Sequence, residues 1–231
     1  MTRKLLPLLS AGAVGLGVAA LRRRGRRRAP RQRLAGDALR VVVVGAGFGG
    51  LALARELAGE AAEVTVLDRN NYHLFQPLLY QVATAALDPE EIAHAVRGIF
   101  QDRPNVRFQM ATVTGVDWEN KTVGVAEGAP VPFDVLVLAA GAETATFGTP
   151  GVEDYAFGLK GLEEAIDLRS HTICQFERVE DDPAEVDRGA LTFVLVGGGP
   201  TGVEMAGSLV ELFDAVLRNC LLYTSPSPRD S

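Results

Sequence analysis

From Asp37 onward the apolar positions fall into two alternating rhythms. Short valine-rich runs, apolar throughout, predict strands buried on both faces over 40–44, 63–67 and 133–138, and again over 193–196. Between them lie stretches with apolar residues at helical spacing. One helix is predicted over 48–59. A second is predicted over 90–100, where Asp88-Pro89-Glu90-Glu91 supplies a start signal, and a third over 162–179, from Leu162, Ala165, Ile166, Ile173, Phe176 and Val179. Asn70 to Pro77 reads as a loop entering a partly helical stretch, and 106–108 as a short strand. Residues 112–117 and 122–126 alternate around Glu119-Asn120-Lys121, a hairpin signal. Asp181-Asp182-Pro183 then breaks the long helix before the last strand. Strands alternating with helices predict an α/β fold built on parallel sheets.

Two of these strand-to-helix junctions carry glycine fingerprints, 152 positions apart. The first is Val41-Val42-Val43-Val44-Gly45-Ala46-Gly47-Phe48-Gly49-Gly50 and the second is Phe193-Val194-Leu195-Val196-Gly197-Gly198-Gly199-Pro200-Thr201-Gly202. Such glycines make a tight turn and let backbone approach a pyrophosphate, while the helix N-terminus offers that anion unpaired N–H groups. After the first fingerprint, the second strand ends at Asp68, 23 residues past Gly45. That is close to the ~20 expected for a carboxylate that bonds an adenosine ribose hydroxyl. The fold class is therefore α/β with two Rossmann-like dinucleotide-binding domains. Two adjacent dinucleotides point to electron transfer between them.

Composition narrows the picture. With 47% apolar residues and 25 glycines, the chain reads as globular. Residues 1–36 hold ten Lys/Arg and no acid, whereas 37–219 hold 12 basic and 28 acidic residues, which argues against a general nucleic-acid surface. Residues 5–21 are a charge-free run of 17, followed by Arg22, Arg23, Arg24, Arg26, Arg27 and Arg28. The run is at the short end of the ~17–25 residues that span a bilayer. As a membrane helix it would leave the body on the cytoplasmic side. Rival readings are an organellar presequence, removed at an inner membrane, an interfacial helix, or an upstream start codon.

Cys220-Leu221-Leu222-Tyr223-Thr224-Ser225-Pro226-Ser227-Pro228-Arg229-Asp230 follows the translation of a transposase adapter used in short-read DNA libraries. Residues 220–231 are therefore expected to be an adapter-derived artefact. On that expectation the natural protein continues past Asn219, and the chain expressed alone is aggregation-prone and inactive. Cys174 is then the one native cysteine, read as a small buried hydrophobe on the long helix, with no disulfide framework or metal site.

Asp68-Arg69-Asn70-Asn71-Tyr72-His73-Leu74-Phe75-Gln76-Pro77-Leu78-Leu79-Tyr80-Gln81-Val82-Ala83-Thr84 closely resembles a stretch of the type II NADH dehydrogenases, single-subunit NADH:quinone oxidoreductases with two dinucleotide-binding domains. Phe133 to Ala142 with Phe147-Gly148, then Gly158-Leu159-Lys160 and Gly197 to Glu204, are similar to further motifs of that family, in family order. The family's Ala-Thr-Gly stands here as Ala139-Ala140-Gly141, one hydroxyl short.

The resemblance implies FAD on Gly45, Ala46, Gly47, Phe48, Gly49 and Gly50, with Asp68 on its ribose, Arg69 and Val113 beside the adenine, and Ala140 and Gly141 close to the cofactor. It implies NADH at Gly197, Gly198, Gly199, Pro200, Thr201 and Gly202, and electrons passed to a membrane quinone without proton pumping. Glu204 reads either as a first-turn helix acid that suits the dipole or, by resemblance, as a catalytic group near nicotinamide and flavin. His73 reads as a packing residue, with catalysis the lesser alternative. The implied domains are a basic segment 1–36, the first part of an FAD-binding domain over 37–150 and a truncated NADH-binding domain over 151–219. A homodimer is left open. The rival functions are a soluble NAD(P)H-dependent FAD reductase of a protein acceptor such as ferredoxin, and an FAD-binding redox sensor. A sulfide:quinone reductase would need reactive cysteines beyond Cys174.

Overall fold

The computed structural model describes residues 38–217. The expected membrane helix over 5–21, the basic segment 1–36 and the artefact reading of 220–231 lie outside the described residues.

The strand β1 (Leu39–Val44) is the hub of the described fold. Val41, Val42 and Val43 are all buried, as a central parallel strand requires. It runs into α1 (Phe48–Leu57) and returns as β2 (Ala62–Asp68), which lies parallel to β1 with Val43 opposite Val66. Next come β3 (Tyr72–Leu74), a 3-10 turn over Gln76–Leu78, α2 (Leu79–Ala83), α3 (Pro89–Ile92), β4 (Ala93–Ala95) and α4 (Val96–Ile99). The chain continues through β5 (Val106–Met110), β6 (Val113–Asp117), β7 (Thr122–Val125), β8 (Val131–Pro132) and β9 (Val135–Leu138). The second half holds α5 (Val152–Tyr155), the 20-residue α6 (Leu162–Asp181) and α7 (Pro200–Glu211), which passes into a π turn over Leu212–Leu217.

The principal sheet is parallel, in the order β5-β2-β1-β9. Alternation along β1 divides the core between its two faces. Val41 and Val43 pack with Leu51 and Ala54 of α1, and with Val96 and Phe100. Val42 turns the other way, joining Leu67, Val123, Val131 and Phe133 under the antiparallel sheet β6-β7-β8. A third cluster brings α2 (Leu79, Val82, Ala83) against Ala165 of α6 and Met205 and Leu209 of α7. Each cluster removes apolar area worth about 25 cal/mol per Å² from water.

Five expectations are corrected. The helix predicted over 90–100 is interrupted by β4, which pairs antiparallel with β3. Strand pairing to a partner some twenty residues back overrides the local helical period, and it turns the middle of the predicted loop 70–77 into β3. The strand over 133–138 forms as β9 but is not buried, with Val135 42% and Leu138 63% exposed. Among the described residues β9 has one sheet neighbour, β1. Residues 193–196 are not a strand. They run irregularly, with Val194 and Val196 81% and 96% exposed, and no described strand lies beside them to supply a hydrogen-bond ladder. Cys174 is exposed. The buried positions of α6 are Ala165, Thr172 and Val179, seven residues apart. At 3.6 residues per turn, Cys174 falls on the opposite face from Thr172. Finally, α7 starts at Pro200, so Glu204 is its fifth residue and sits beyond the first turn.

Candidate dinucleotide site

The first fingerprint divides its glycines by job. Gly45 adopts φ +105°, and a Cβ there would stand 2.2 Å from the Ala139 carbonyl oxygen. Its N–H donates to Leu67 O at 2.7 Å, which carries the β1–β2 ladder one residue past Val44. At Gly50 a Cβ would stand 1.9 Å from the Gly45 carbonyl oxygen, so helix and turn meet with no room for a side chain. Gly47 is different. A Cβ there would meet nothing within 4 Å, and no side chain caps the helix it begins. The first-turn N–H groups of the ten-residue α1 therefore keep their capacity for a ligand anion.

Gly45, Ala46 and Gly47 line a cleft of about 860 Å³, and Gly50, packed against the Gly45 carbonyl, does not. Asp68 sits at the end of β2 on that cleft, its carboxylate accepting from Ala46 N at 2.6 Å and from Asn70 N at 2.8 Å. Carboxylate oxygens carry more acceptor sites than those two bonds use, so ribose hydroxyls can still be bonded. Arg69 lines the cleft and reaches the exposed Glu143 at 3.4 Å. Val113, Ala140 and Gly141 also line the cleft, as do Phe48 and Gly49. An extended dinucleotide fits this donor set: an open glycine shelf for the pyrophosphate, a carboxylate beyond it and a backbone wall from the segment that follows β9. The missing hydroxyl at Ala140 leaves that wall's backbone in place.

The far end of the cleft was not legible from the sequence. There Tyr72 of β3 donates to Glu163 of α6 at 3.2 Å, and Gln76 Nε2 donates to Lys160 O at 3.1 Å. Burial, with the Glu163 carboxylate beside it, pushes the Tyr72 phenol above its ordinary pKa. Glu164 accepts from the N–H groups of Lys160 and Gly161 at 2.6 and 2.9 Å, so α6 caps itself with its own acid. Tyr72 and Glu163 lie 91 positions apart and Gln76 and Lys160 84, and no local pattern links them.

The second fingerprint repeats the backbone of the first. Gly197 has φ +115° against +105° at Gly45, and a Cβ on Gly202 would stand 2.0 Å from Gly197 O. Gly199, like Gly47, is an extended helix N-cap with open space around it. Val203 N donates to Gly199 O at 3.1 Å as Leu51 N does to Gly47 O at 3.0 Å. Thus the turn forms without the preceding strand. Gly197, Gly198, Gly199, Pro200, Thr201 and Gly202 do not line the cleft, and the structure does not bring the exposed Glu204 to it. No group of three or more His, Cys, Asp or Glu among the described residues could hold a metal.

Residues 39–224 match the family model described as pyridine nucleotide-disulphide oxidoreductase. Over 193 residues the chain is 40% identical to the type II NADH:quinone oxidoreductase NdhA of Mycobacterium tuberculosis, covering 81% of this chain and 41% of that protein. It is 39% identical over 184 residues to the type II NADH:quinone oxidoreductase Ndh of the same organism, covering 78% and 40%. The chain thus spans about two fifths of the length of these curated relatives. Among solved structures, NDH2 of Plasmodium falciparum in complex with NADH superposes with a TM-score of 0.69 at 22% identity, over 79% of this chain and 39% of that one. That likeness extends to the fold.

Proposed function

Because the chain belongs to the pyridine nucleotide-disulphide oxidoreductase family, we propose that it forms the FAD-binding and NADH-accepting part of a single-subunit NADH:quinone oxidoreductase. The observation that carries this reading is the pair of fingerprints with one shared backbone geometry, in a chain 40% identical to a type II NADH:quinone oxidoreductase. Gly45, Ala46, Gly47, Phe48, Gly49 and Gly50 would seat the FAD pyrophosphate against α1. Asp68 would hold the ribose, with Arg69 and Val113 at the adenine and Ala140 and Gly141 close to the cofactor. When bound, FAD supplies the redox chemistry, taking a hydride from NADH and passing two electrons to a quinone. The residues 197–202 would seat the NADH pyrophosphate on α7 in the same manner, and Glu204 would face the nicotinamide once NADH is in place. In this reading 37–150 belongs to the FAD domain and 151–219 to the NADH domain. The protein works at a membrane surface, where its quinone dissolves, with the body on the cytoplasmic side.

No helix among the described residues is long and apolar enough to cross a membrane. The test is stopped-flow absorbance of the intact protein. NADH should bleach the flavin band, and a short-chain quinone should restore it. Bleaching that only a protein such as ferredoxin reverses would reject the quinone, and a flavin that NADH never bleaches would reject the enzyme.

A further inference from the structure

Ala46 is gripped from outside the glycine turn through both of its flanking peptides. Ala46 N donates to Asp68, and Ala46 O lies 3.0 Å from His73 Nδ1. A carbonyl oxygen only accepts, so Nδ1 carries the proton and His73 is the donor. In a planar trans peptide, the carbonyl and the next N–H point in opposite directions. Holding Ala46 O against His73 therefore turns the Gly47 N–H away from it, and Gly47 is the residue that lines the cleft with open space around it. The imidazole is itself held. It meets Phe48 edge to face at 5.1 Å, and Phe48 meets Phe75 in the same way at 5.5 Å. Its backbone is paired in the β3-β4 ladder, with His94 directly opposite.

We propose that His73 is a positioning residue for the dinucleotide pyrophosphate, fixing the 46–47 peptide so that the Gly47 N–H is presented to a phosphate oxygen. The proposal rests on the reading of the first fingerprint as the FAD site. His73 touches the turn and does not line the cleft, so its effect reaches the cofactor through Gly47.

The test measures the FAD dissociation constant of the intact holoenzyme by dilution, with flavin fluorescence rising on release. Three variants are compared. His73→Phe keeps a ring against Phe48 and removes the donor, while His73→Asn puts a short amide donor where Nδ1 stands. Gly47→Val fills the open shelf and checks the reading of the site. Loss of one hydrogen bond predicts roughly tenfold weaker FAD binding in His73→Phe. His73→Asn should return to within about threefold of the parent, a rescue that loss of packing alone would not give. Parent-like binding by His73→Phe, or equal weakening in His73→Phe and His73→Asn, overturns the positioning role even if Gly47→Val releases FAD. Unchanged binding in Gly47→Val overturns the site reading and the proposal with it. Should His73→Phe fail to fold, His73→Gln, whose amide reaches past the Nδ1 position, takes its place with the same expected loss.

Discussion

At the scale of single residues, the site rests on backbone geometry that few side chains can enter. Asp68→Ala removes the acceptor of Ala46 N and Asn70 N as well as the proposed ribose contact. Each charge-assisted bond is worth ~1.5–3 kcal/mol. FAD affinity should therefore drop by at least tenfold with the fold retained, and flavin that stays bound through gel filtration would refute the assignment. The glycines separate into two kinds. Gly45→Ala forces a Cβ to within 2.2 Å of backbone at φ +105° and should cost at least about 3 kcal/mol in urea unfolding. Gly199→Val meets open space, so it should leave stability and FAD intact while impairing NADH oxidation. A colourless Gly199→Val protein would reverse the division of labour between the fingerprints. The glycines and Asp68 could be read in the sequence because a turn's steric demands act over a few residues. Glu163 and Lys160 could not, since their place beside Tyr72 and Gln76 depends on where α6 lies.

Secondary elements are joined by a few polar contacts whose loss can be measured. Arg40 at the start of β1 binds Asp134, just before β9, through side chain and backbone. The Arg40 hydrogen bonds lower the Asp134 carboxyl to a pKa of about 2. An unfolded aspartate titrates near 3.9, at about the model-peptide value. The folded value is the lower one, so the pair's stabilisation is present above about pH 4 and lost as pH falls towards 2. Asp134→Asn should therefore unfold earlier than the parent in denaturant at pH 6, with the gap narrowing as pH falls below 4 and closing only towards pH 2. A gap that stayed constant with pH would exclude linkage through this carboxyl. Within α6, the hydroxyl of the fully buried Thr172 has no hydrogen-bond partner among the described residues. Thr172→Val should be neutral or stabilising by about 1 kcal/mol, and a clear loss of melting temperature would mean the hydroxyl is satisfied in solution.

Across the whole molecule, two clusters sandwich the parallel sheet and a third binds α6 and α7 to α2. Val194 and Val196 stay outside all three, apolar and exposed. Contiguous exposed apolar residues with unpaired backbone favour edge-to-edge association. Val194→Lys with Val196→Lys should lower light scattering of the 231-residue chain on concentration, with melting unchanged. Equal scattering would place the association elsewhere. The sequence by itself determined the β1-α1-β2 unit, the hairpin, α6, α7 and both glycine turns. Each is specified by apolar period, chirality and steric limits acting within about thirty residues. Only the tertiary structure decided that β4 would split a helix to pair with β3 and that, among the described residues, β9 would lie at an exposed edge and 193–196 would stay unpaired. It also decided that Cys174 faces out, and that His73 reaches the Ala46 carbonyl. These outcomes turn on which remote segment supplies a hydrogen-bond ladder or a packing face, and the local pattern does not encode that choice.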